Sequence, residues 1–188
     1  IIEEKNLTKA AIEHVMITCK AKAKETVLLE LLETINPYMA IIFANTKERV
    51  DELSNFLAKN NIKVAKIHGD LDERERKQTL KRIHDLKYQY IVASDIASRG
   101  IDIEGVSHVI SLGYPSELDF YIHRAGRCGR AGMSGVCYSL YKTEDEQAMR
   151  QLSNKGIGFK YQNIKDGEWV DLRDKNKPQN ENSGIDIF

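Results

Sequence analysis

The sequence predicts an α/β domain built on a mostly parallel sheet with helices on both faces. Short apolar runs alternate with longer amphipathic stretches, which is typical of successive strand–helix units. The chain has 188 residues, enough for one domain with a short appendage. Hydrophobic residues make up 41% and charged residues 30%, so we expect a packed core rather than a disordered chain.

Six β-branched or apolar runs bounded by turn residues predict strands, in chain order His14–Cys19, Met39–Ala44, Lys63–His68, Tyr90–Ala93, Ser107–Leu112 and Gly135–Leu140. Five stretches with helical spacing predict helices at Lys24–Ile35, Lys47–Asn60, Asp72–Leu86, Glu117–Ala125 and Thr143–Lys155. Ligands of such sheets collect at the carboxyl ends of the strands. We therefore expect the site in the loops that start at Asn45, His68, Ser94 and Tyr114.

The pattern divides the chain into four parts. Residues 1–11 are a lead-in or linker, and residues 12–155 carry the α/β pattern. Residues 156–173 form a C-terminal extension that adds an edge strand or a docking arm. Residues 174–188 contain little apolar material, so we expect a flexible polar tail that could bind protein partners.

Composition excludes several classes of function. Lys plus Arg and Asp plus Glu both number 28, so the formal net charge is 0 and any phosphate binding must be local. Three cysteines without CxxC spacing and five scattered histidines predict neither a disulfide framework nor a metal site. No window approaches the ~20 apolar residues that span a bilayer, and no leader opens the chain, so we expect a cytoplasmic protein.

The most informative stretch is 123–132, where arginine recurs every third residue among glycines. The glycines let the backbone approach a ligand closely, and guanidinium groups are planar donors suited to phosphate oxygens. This pattern indicates an anion site. The alternative is a solvated basic loop at the end of a helix.

A second stretch, 94–102, leaves an apolar strand through small and polar residues. Ser94 could bond a phosphate, Gly100 permits close approach of the backbone, and Asp102 could accept hydrogen bonds from a sugar. In the alternative interpretation, Ser94 and Asp95 cap the next helix and Arg99 pairs with a surface carboxylate.

A third stretch, 67–76, is a strand end followed by a charged helix start. Arg76 falls one turn after Asp72, so it can point back toward the strand-end loop. Alternatively, Asp72 is an N-cap and the charges form an exposed face, which is our interpretation of Arg74 and Glu75. The chain contains no GxxxxGKS or GxxxxGKT, so it cannot form a complete P-loop ATPase by itself.

These stretches resemble motifs of the DEAD-box RNA helicases. Residues 123–132 resemble the HRxGRxGRxG motif, and residues 94–102 resemble motif V, with motif Va after it at 102–110. Residues 41–47 resemble motif IV, and residues 68–70 resemble the strand-end element that follows motif IV. The motifs stand in the family's order over about residues 12–155. The chain thus resembles the C-terminal RecA-like domain of such a helicase, and its extension resembles that of bacterial cold-shock-type members.

The resemblance implies half of an ATPase. An N-terminal RecA-like lobe would carry the P-loop and hold most of the contacts to Mg²⁺, while Arg127 and Arg130 would be arginine fingers that reach the γ-phosphate of ATP. The resemblance further implies ATP-binding positions at Gly100 and Asp102, and interlobe positions at His123, Arg124 and Arg99.

The resemblance also implies RNA as a partner. The RNA-binding positions would be Asn45, Thr46, Gly69, Arg76 and Ser94, which would contact phosphates and sugars. Such contacts read shape and the 2′-hydroxyl rather than base sequence. No membrane partner is expected.

Two positions depart from the family pattern: Glu73 replaces a glutamine, and Cys128 stands where threonine is common. Neighbouring arginines could lower the thiol pKa of Cys128, which would make it sensitive to oxidation. Two alternatives to the RNA helicase lobe stay open: a lobe of a DNA helicase from the same superfamily, and a stand-alone RNA- or protein-binding module.

Overall fold

The computed structural model describes residues 12–114, 117, 119–130 and 132–172. Eight strands form one sheet in the order β3-β4-β2-β5-β6-β1-β7-β8. The strands are β1 (Ile12–Thr18), β2 (Ala40–Phe43), β3 (Val64–Ile67), β4 (Tyr90–Ala93), β5 (His108–Ser111), β6 (Gly135–Tyr141), β7 (Phe159–Lys165) and β8 (Glu168–Leu172). Neighbouring strands are parallel except for the terminal β7–β8 pair, which confirms the predicted mostly parallel sheet.

Helices cover both faces of the sheet, as predicted. They are α1 (Lys24–Ile35), α2 (Lys47–Lys59), α3 (Glu73–His84), the short α4 (Asp95–Ser98), α5 (Asp119–Ala125) and α6 (Glu146–Asn154), with a 3₁₀ turn at Thr143–Asp145. The apolar stripes of α1 and α2 pack on one face, and side chains of α3, α4, α5 and α6 pack on the other. The predicted RecA-like α/β architecture is thereby confirmed.

The topology opens three crevices at the carboxyl edge of the sheet. The chain leaves β1 and β2 toward the face covered by α1 and α2, but it leaves β4, β5 and β6 toward the opposite face. Because β2 lies between β4 and β5, and β6 lies beside β1, neighbouring connections diverge at three places. Such divergence points are where ligands bind in open α/β sheets.

Most elements match the sequence prediction, and the differences are local. The extension forms a hairpin, with β7 added in parallel to β1 and β8 at the edge, so the edge-strand alternative is confirmed. Asp72 caps α3 in a reciprocal pair of bonds with Glu75, as the capping interpretation expected. The predicted lead-in 1–11 and the tail 174–188 lie outside the described residues.

Candidate nucleotide and nucleic-acid site

The arginine-rich loop has a tightly constrained backbone. It leaves α5 after Ala125 and turns at Gly129 and Gly132, which have φ of 70° and 77°, a conformation that favours glycine. At Gly135, the first residue of β6, an added Cβ would lie 2.7 Å from both the Cys128 Sγ and the Gly129 nitrogen. The loop therefore lies directly on the start of β6, and this contact fixes the position of its arginines.

Arg127 and Arg130 lie side by side against the segment that follows Gly100. Arg127 Nη1 donates to the Ile101 carbonyl at 2.8 Å, and Arg130 Nη1 contacts Asp102 Oδ1 at 2.8 Å. Burial, with the nearby Arg130 cation, lowers the pKa of Arg127, although an arginine stays protonated in proteins. Two adjacent cations, one of them partly desolvated, form a place where a phosphate anion is favoured.

The loop 94–102 connects this pair to the carboxyl edge of the sheet. It contains α4, then Gly100 with φ of 70°, and ends at the exposed Asp102. Ser94 occupies the N-cap position of α4, but its side chain makes no capping hydrogen bond, and the residue is buried. The capping alternative for the Ser94 hydroxyl is therefore wrong.

Arg124 has a different environment from the other arginines, since it is 1% exposed. Its Nε and Nη2 donate to the two Asp95 carboxylate oxygens at 2.6 and 2.7 Å, its Nη1 donates to the Gly113 carbonyl at 2.8 Å, and its Nη2 also donates to Asn45 Oδ1 at 2.9 Å. The guanidinium is thus enclosed by its own chain, and the predicted interlobe role of Arg124 stays a prediction. Arg124 joins the carboxyl ends of β2, β4 and β5.

His123 and Arg99, the other two predicted interlobe residues, are exposed. The Arg99 guanidinium carbon lies 4.4 Å from the centroid of the Phe120 ring, so Arg99 stacks on an aromatic ring rather than pairing with a surface carboxylate. Ile96 of α4 is exposed on the same loop. The interlobe role of His123 and Arg99 stays a prediction.

The predicted RNA contacts on β2 are partly occupied within the chain. Asn45 accepts from Arg124 through Oδ1 and donates through Nδ2 to the Tyr114 carbonyl at 3.0 Å. Thr46 caps α2 by accepting from the Arg49 backbone N–H at 3.2 Å. Both residues are exposed, but the polar groups of their side chains already form hydrogen bonds within the chain.

The remaining predicted RNA contacts lie after β3 and β4 and on α3. Gly69 follows β3, and a Cβ added to it would meet nothing within 4 Å. Arg76 Nη2 donates to the Ala97 carbonyl at 2.7 Å, and the Ser94 N–H donates to the Ile67 carbonyl at 3.2 Å. Since β3, β4 and β2 are adjacent, the predicted RNA residues are brought together along one edge of the sheet.

Glu73, the first departure from the family pattern, faces solvent. Its side chain is 82% exposed and pairs with Lys77 at 2.8 Å. Arg76, on the same helix, makes its contact with Ala97 without help from Glu73.

Cys128, the second departure, is buried, and burial raises the pKa of its thiol well above the ordinary range. Its Sγ lies 3.3 Å from the Ala125 carbonyl. The flanking arginines point toward Ile101 and Asp102 instead of the thiol. The hypothesis that Cys128 is an activated, oxidation-sensitive thiol is therefore wrong.

Sequence analysis missed the role of Asp95, which was considered only as a helix cap. A carboxylate two residues after a strand end, with arginines elsewhere in the chain, is too common a pattern to predict a buried ion pair. Within residues 12–114, 117, 119–130 and 132–172, no group of three His, Cys, Asp or Glu side chains could hold a metal ion. In the same part of the chain, no helix is long and apolar enough to cross a membrane.

Comparison with known proteins agrees with this fold. The family described as helicase conserved C-terminal domain matches residues 23–132. Over 176 residues the chain is 47% identical to the DEAD-box ATP-dependent RNA helicase CshB of Listeria monocytogenes, covering 94% of this chain and 40% of that protein. It is 45% identical to CshB of Bacillus subtilis, covering 89% of this chain and 38% of that protein.

Solved structures show the same similarity. The DEAD-box protein SrmB of E. coli, crystallised with the regulator of ribonuclease activity A, gives a TM-score of 0.75 at 30% identity and covers 90% of this chain and 98% of that chain. S. cerevisiae Dbp5 bound to RNA and ADP BeF3 gives 0.76 at 28% identity, covering 82% of this chain and 42% of that chain.

The fold and the arginine-rich loop thus define a helicase C-terminal domain of the RecA-like class. More specifically, the chain belongs to the DEAD-box RNA helicase family and corresponds to the C-terminal domain of its members. The chain spans about two fifths of the length of the CshB proteins it matches.

Proposed function

We propose that this chain is the C-terminal lobe of an ATP-dependent RNA helicase, which unwinds short RNA duplexes locally when two lobes close on ATP and RNA. The observation that carries the proposal is the pair Arg127 and Arg130, which lie side by side on one loop and contact Ile101 and Asp102. An N-terminal RecA-like lobe would hold the other side of the nucleotide.

The residues present fit an ATP phosphate and sugar. Arg130 pairs with Asp102 at the surface, and an exposed ion pair of this kind contributes at most ~1 kcal/mol. A phosphate of bound ATP can therefore replace Asp102 as the partner of Arg130, which leaves the Asp102 carboxylate free for a ribose hydroxyl. Gly100 permits the close approach of the backbone.

Arg127 and Arg130 would stabilise the negative charge that develops on the transferred phosphoryl group. Mg²⁺ supplies further charge neutralisation when it is bound with ATP, and we assign its protein ligands to the N-terminal lobe. The two arginines alone do not hydrolyse ATP, so the isolated chain is expected to be inactive.

RNA would lie along the carboxyl edge of the sheet over Gly69, Ser94 and Asn45, with contacts to its sugar–phosphate backbone. The loop 94–102 connects this edge to the nucleotide residues, since Arg76 holds its Ala97 carbonyl and Arg127 holds its Ile101 carbonyl. Movement of this loop on RNA binding would therefore reposition the arginines. The cytoplasmic location expected from the sequence stays a prediction.

The test is ATP hydrolysis by this chain alone and after fusion to the N-terminal lobe, each with RNA, with single-stranded DNA or without nucleic acid. We expect hydrolysis only in the two-lobed protein and stimulation by RNA but not by DNA. Equal stimulation by DNA would favour the DNA helicase alternative. A correctly folded two-lobed protein without activity would favour a binding module.

A further inference from the structure

An open cleft of about 380 Å³ lies at the carboxyl edge of the sheet, beside Asn45. Residues that follow four neighbouring strands, β2, β5, β6 and β1, line it, so the crevices between β2 and β5 and between β6 and β1 open into it. Its volume lies in the range of ligand pockets, about 300–1,000 Å³. The RNA contacts considered above do not use this cleft beyond its border at Asn45.

Three cations and three carboxylates line the cleft, and two ion pairs leave one lysine and one carboxylate outside such pairs. Lys24 is bound to Asp145 at 2.7 Å, and Arg49 is bound to Glu25 at 2.5 Å. Lys142, which directly follows β6, is half-buried and makes no ion pair with any residue that the structure describes. Lys142 also acts electrostatically on the nearby Glu25 carboxylate, which is already bound to Arg49. A lysine in a partly desolvated cleft that forms no ion pair of its own can bind an anion.

The amino end of α1 adds to this preference. Ala23 occupies the N-cap position and offers no side-chain cap, and Ala23, Lys24 and Glu25 all line the cleft. The first backbone N–H groups of a helix lack internal partners and carry a partial positive charge. The carboxylate of Glu144 also lines the cleft and is exposed, and it opposes an anion there.

We propose that the RNA strand that crosses Asn45 continues into this cleft and places a backbone phosphate at Lys142. The proposal rests on the proposed function, because it extends the same RNA track. The strands β3, β4 and β2 are followed in the sheet by β5, β6 and β1, and neighbouring strands lie ~4.8 Å apart. The ends of these six strands therefore form a path of ~24 Å along one edge of the sheet. RNA on this path would be contacted at its phosphates and sugars, and such contacts do not distinguish base sequence.

The test is RNA binding by the two-lobed protein with a non-hydrolysable ATP analogue and a labelled oligouridine of about ten nucleotides. Lys142→Glu should weaken binding about tenfold at low salt and reduce the slope of log affinity against log salt by about 0.7, the value for one lost phosphate contact to a single strand. Lys142→Gln should weaken binding less, and Glu144→Gln should strengthen it. Thermal unfolding verifies that each variant is folded.

Lys59→Glu is the matched control, because Lys59 is an exposed lysine at the carboxyl-terminal end of α2, away from the cleft. It should leave the salt slope unchanged. If the wild type binds RNA and both Lys142 variants keep its affinity and slope, the cleft proposal is overturned while the proposed function stands. If the wild type does not bind RNA at all, the proposed function fails, and this inference fails with it.

Discussion

Arg124, Arg127 and Arg130 are spaced three residues apart, yet each has a different environment. Arg124 is enclosed by the domain, Arg127 is half-buried, and the Arg130 side chain is 53% exposed. The sequence predicts an anion site from their shared pattern, but it cannot separate their roles. The separation arises because α5 ends at Ala125, so that only Arg124 stays on the helical face that packs against the sheet.

Replacement of Arg124 by lysine is expected to destabilise the domain. A lysine keeps the positive charge, but it cannot reproduce the planar donors that bind Asp95, Gly113 and Asn45 together, and each buried acceptor left without its hydrogen bond costs about 1–3 kcal/mol. We expect Arg124→Lys to lower the free energy of unfolding by about 3 kcal/mol in urea titrations. Arg150→Lys, at an exposed pair with a 3.9 Å separation, should change it by less than about 0.5 kcal/mol. Equal stability of both variants would contradict the positioning role.

His14 makes stability depend on pH. Burial lowers the pKa of the His14 imidazole to about 4, and its Nδ1 lies 2.9 Å from the Tyr121 hydroxyl. Below its ordinary pKa of about 6.5, the unfolded chain takes up a proton that the folded domain does not. The contribution of His14 is therefore complete above pH 6.5 and is lost as the pH falls toward 4, by up to about 2 kcal/mol at pH 5.

The measurement is the free energy of unfolding at pH 7 and pH 5 for the wild type and for His14→Gln, whose amide does not titrate. We expect a smaller difference between the two pH values in the variant. His108, whose pKa burial also lowers, remains in both proteins and gives a common background. The same pH dependence in both proteins would show that His14 is not its source.

At the scale of elements, sequence patterns predict the strands and helices that belong to successive strand–helix units. The strand Tyr90–Ala93 is predicted to the residue because it is a continuous apolar run between polar turns. For the segment of the β7–β8 hairpin, the sequence predicts either an edge strand or a docking arm. Asp166 and Gly167 connect its strands with φ of 53° and 77°, so this Asp-Gly pair was the available signal. The helix α4 was missed because four residues carry no helical periodicity.

The contact between the arginine-rich loop and β6 gives a prediction at this scale. A methyl group at Gly135 would lie 2.7 Å from two atoms of the loop, so Gly135→Ala must displace the loop or the strand. We expect a loss of about 1–3 kcal/mol in unfolding free energy, together with weaker RNA-stimulated ATP hydrolysis in the two-lobed protein. Gly158→Ala, where nothing lies within 4 Å of an added Cβ, is the control. Wild-type stability of Gly135→Ala would contradict the close packing.

At the scale of the whole molecule, the structure shows where the predicted nucleotide residues and the predicted RNA residues lie on the sheet. The predicted RNA residues lie at the carboxyl edge of the sheet, whereas Arg127 and Arg130 lie beside the segment after Gly100, and the loop 94–102 connects the two sets. Sequence order reveals neither the separation nor the cleft at Lys142, because both depend on which strands are neighbours. Lys142 could have been noticed only as a cation that directly follows a predicted strand.

The most direct test of the account is the rate of a single turnover of ATP in the RNA-bound two-lobed protein with Arg127→Ala. We expect hydrolysis to fall about a thousandfold or more, while ATP affinity falls much less. Arg74→Ala, an exposed arginine on α3, should hydrolyse ATP like the wild type. A folded Arg127→Ala protein that hydrolyses ATP within a few-fold of the wild-type rate would contradict the claim that this lobe supplies an arginine finger.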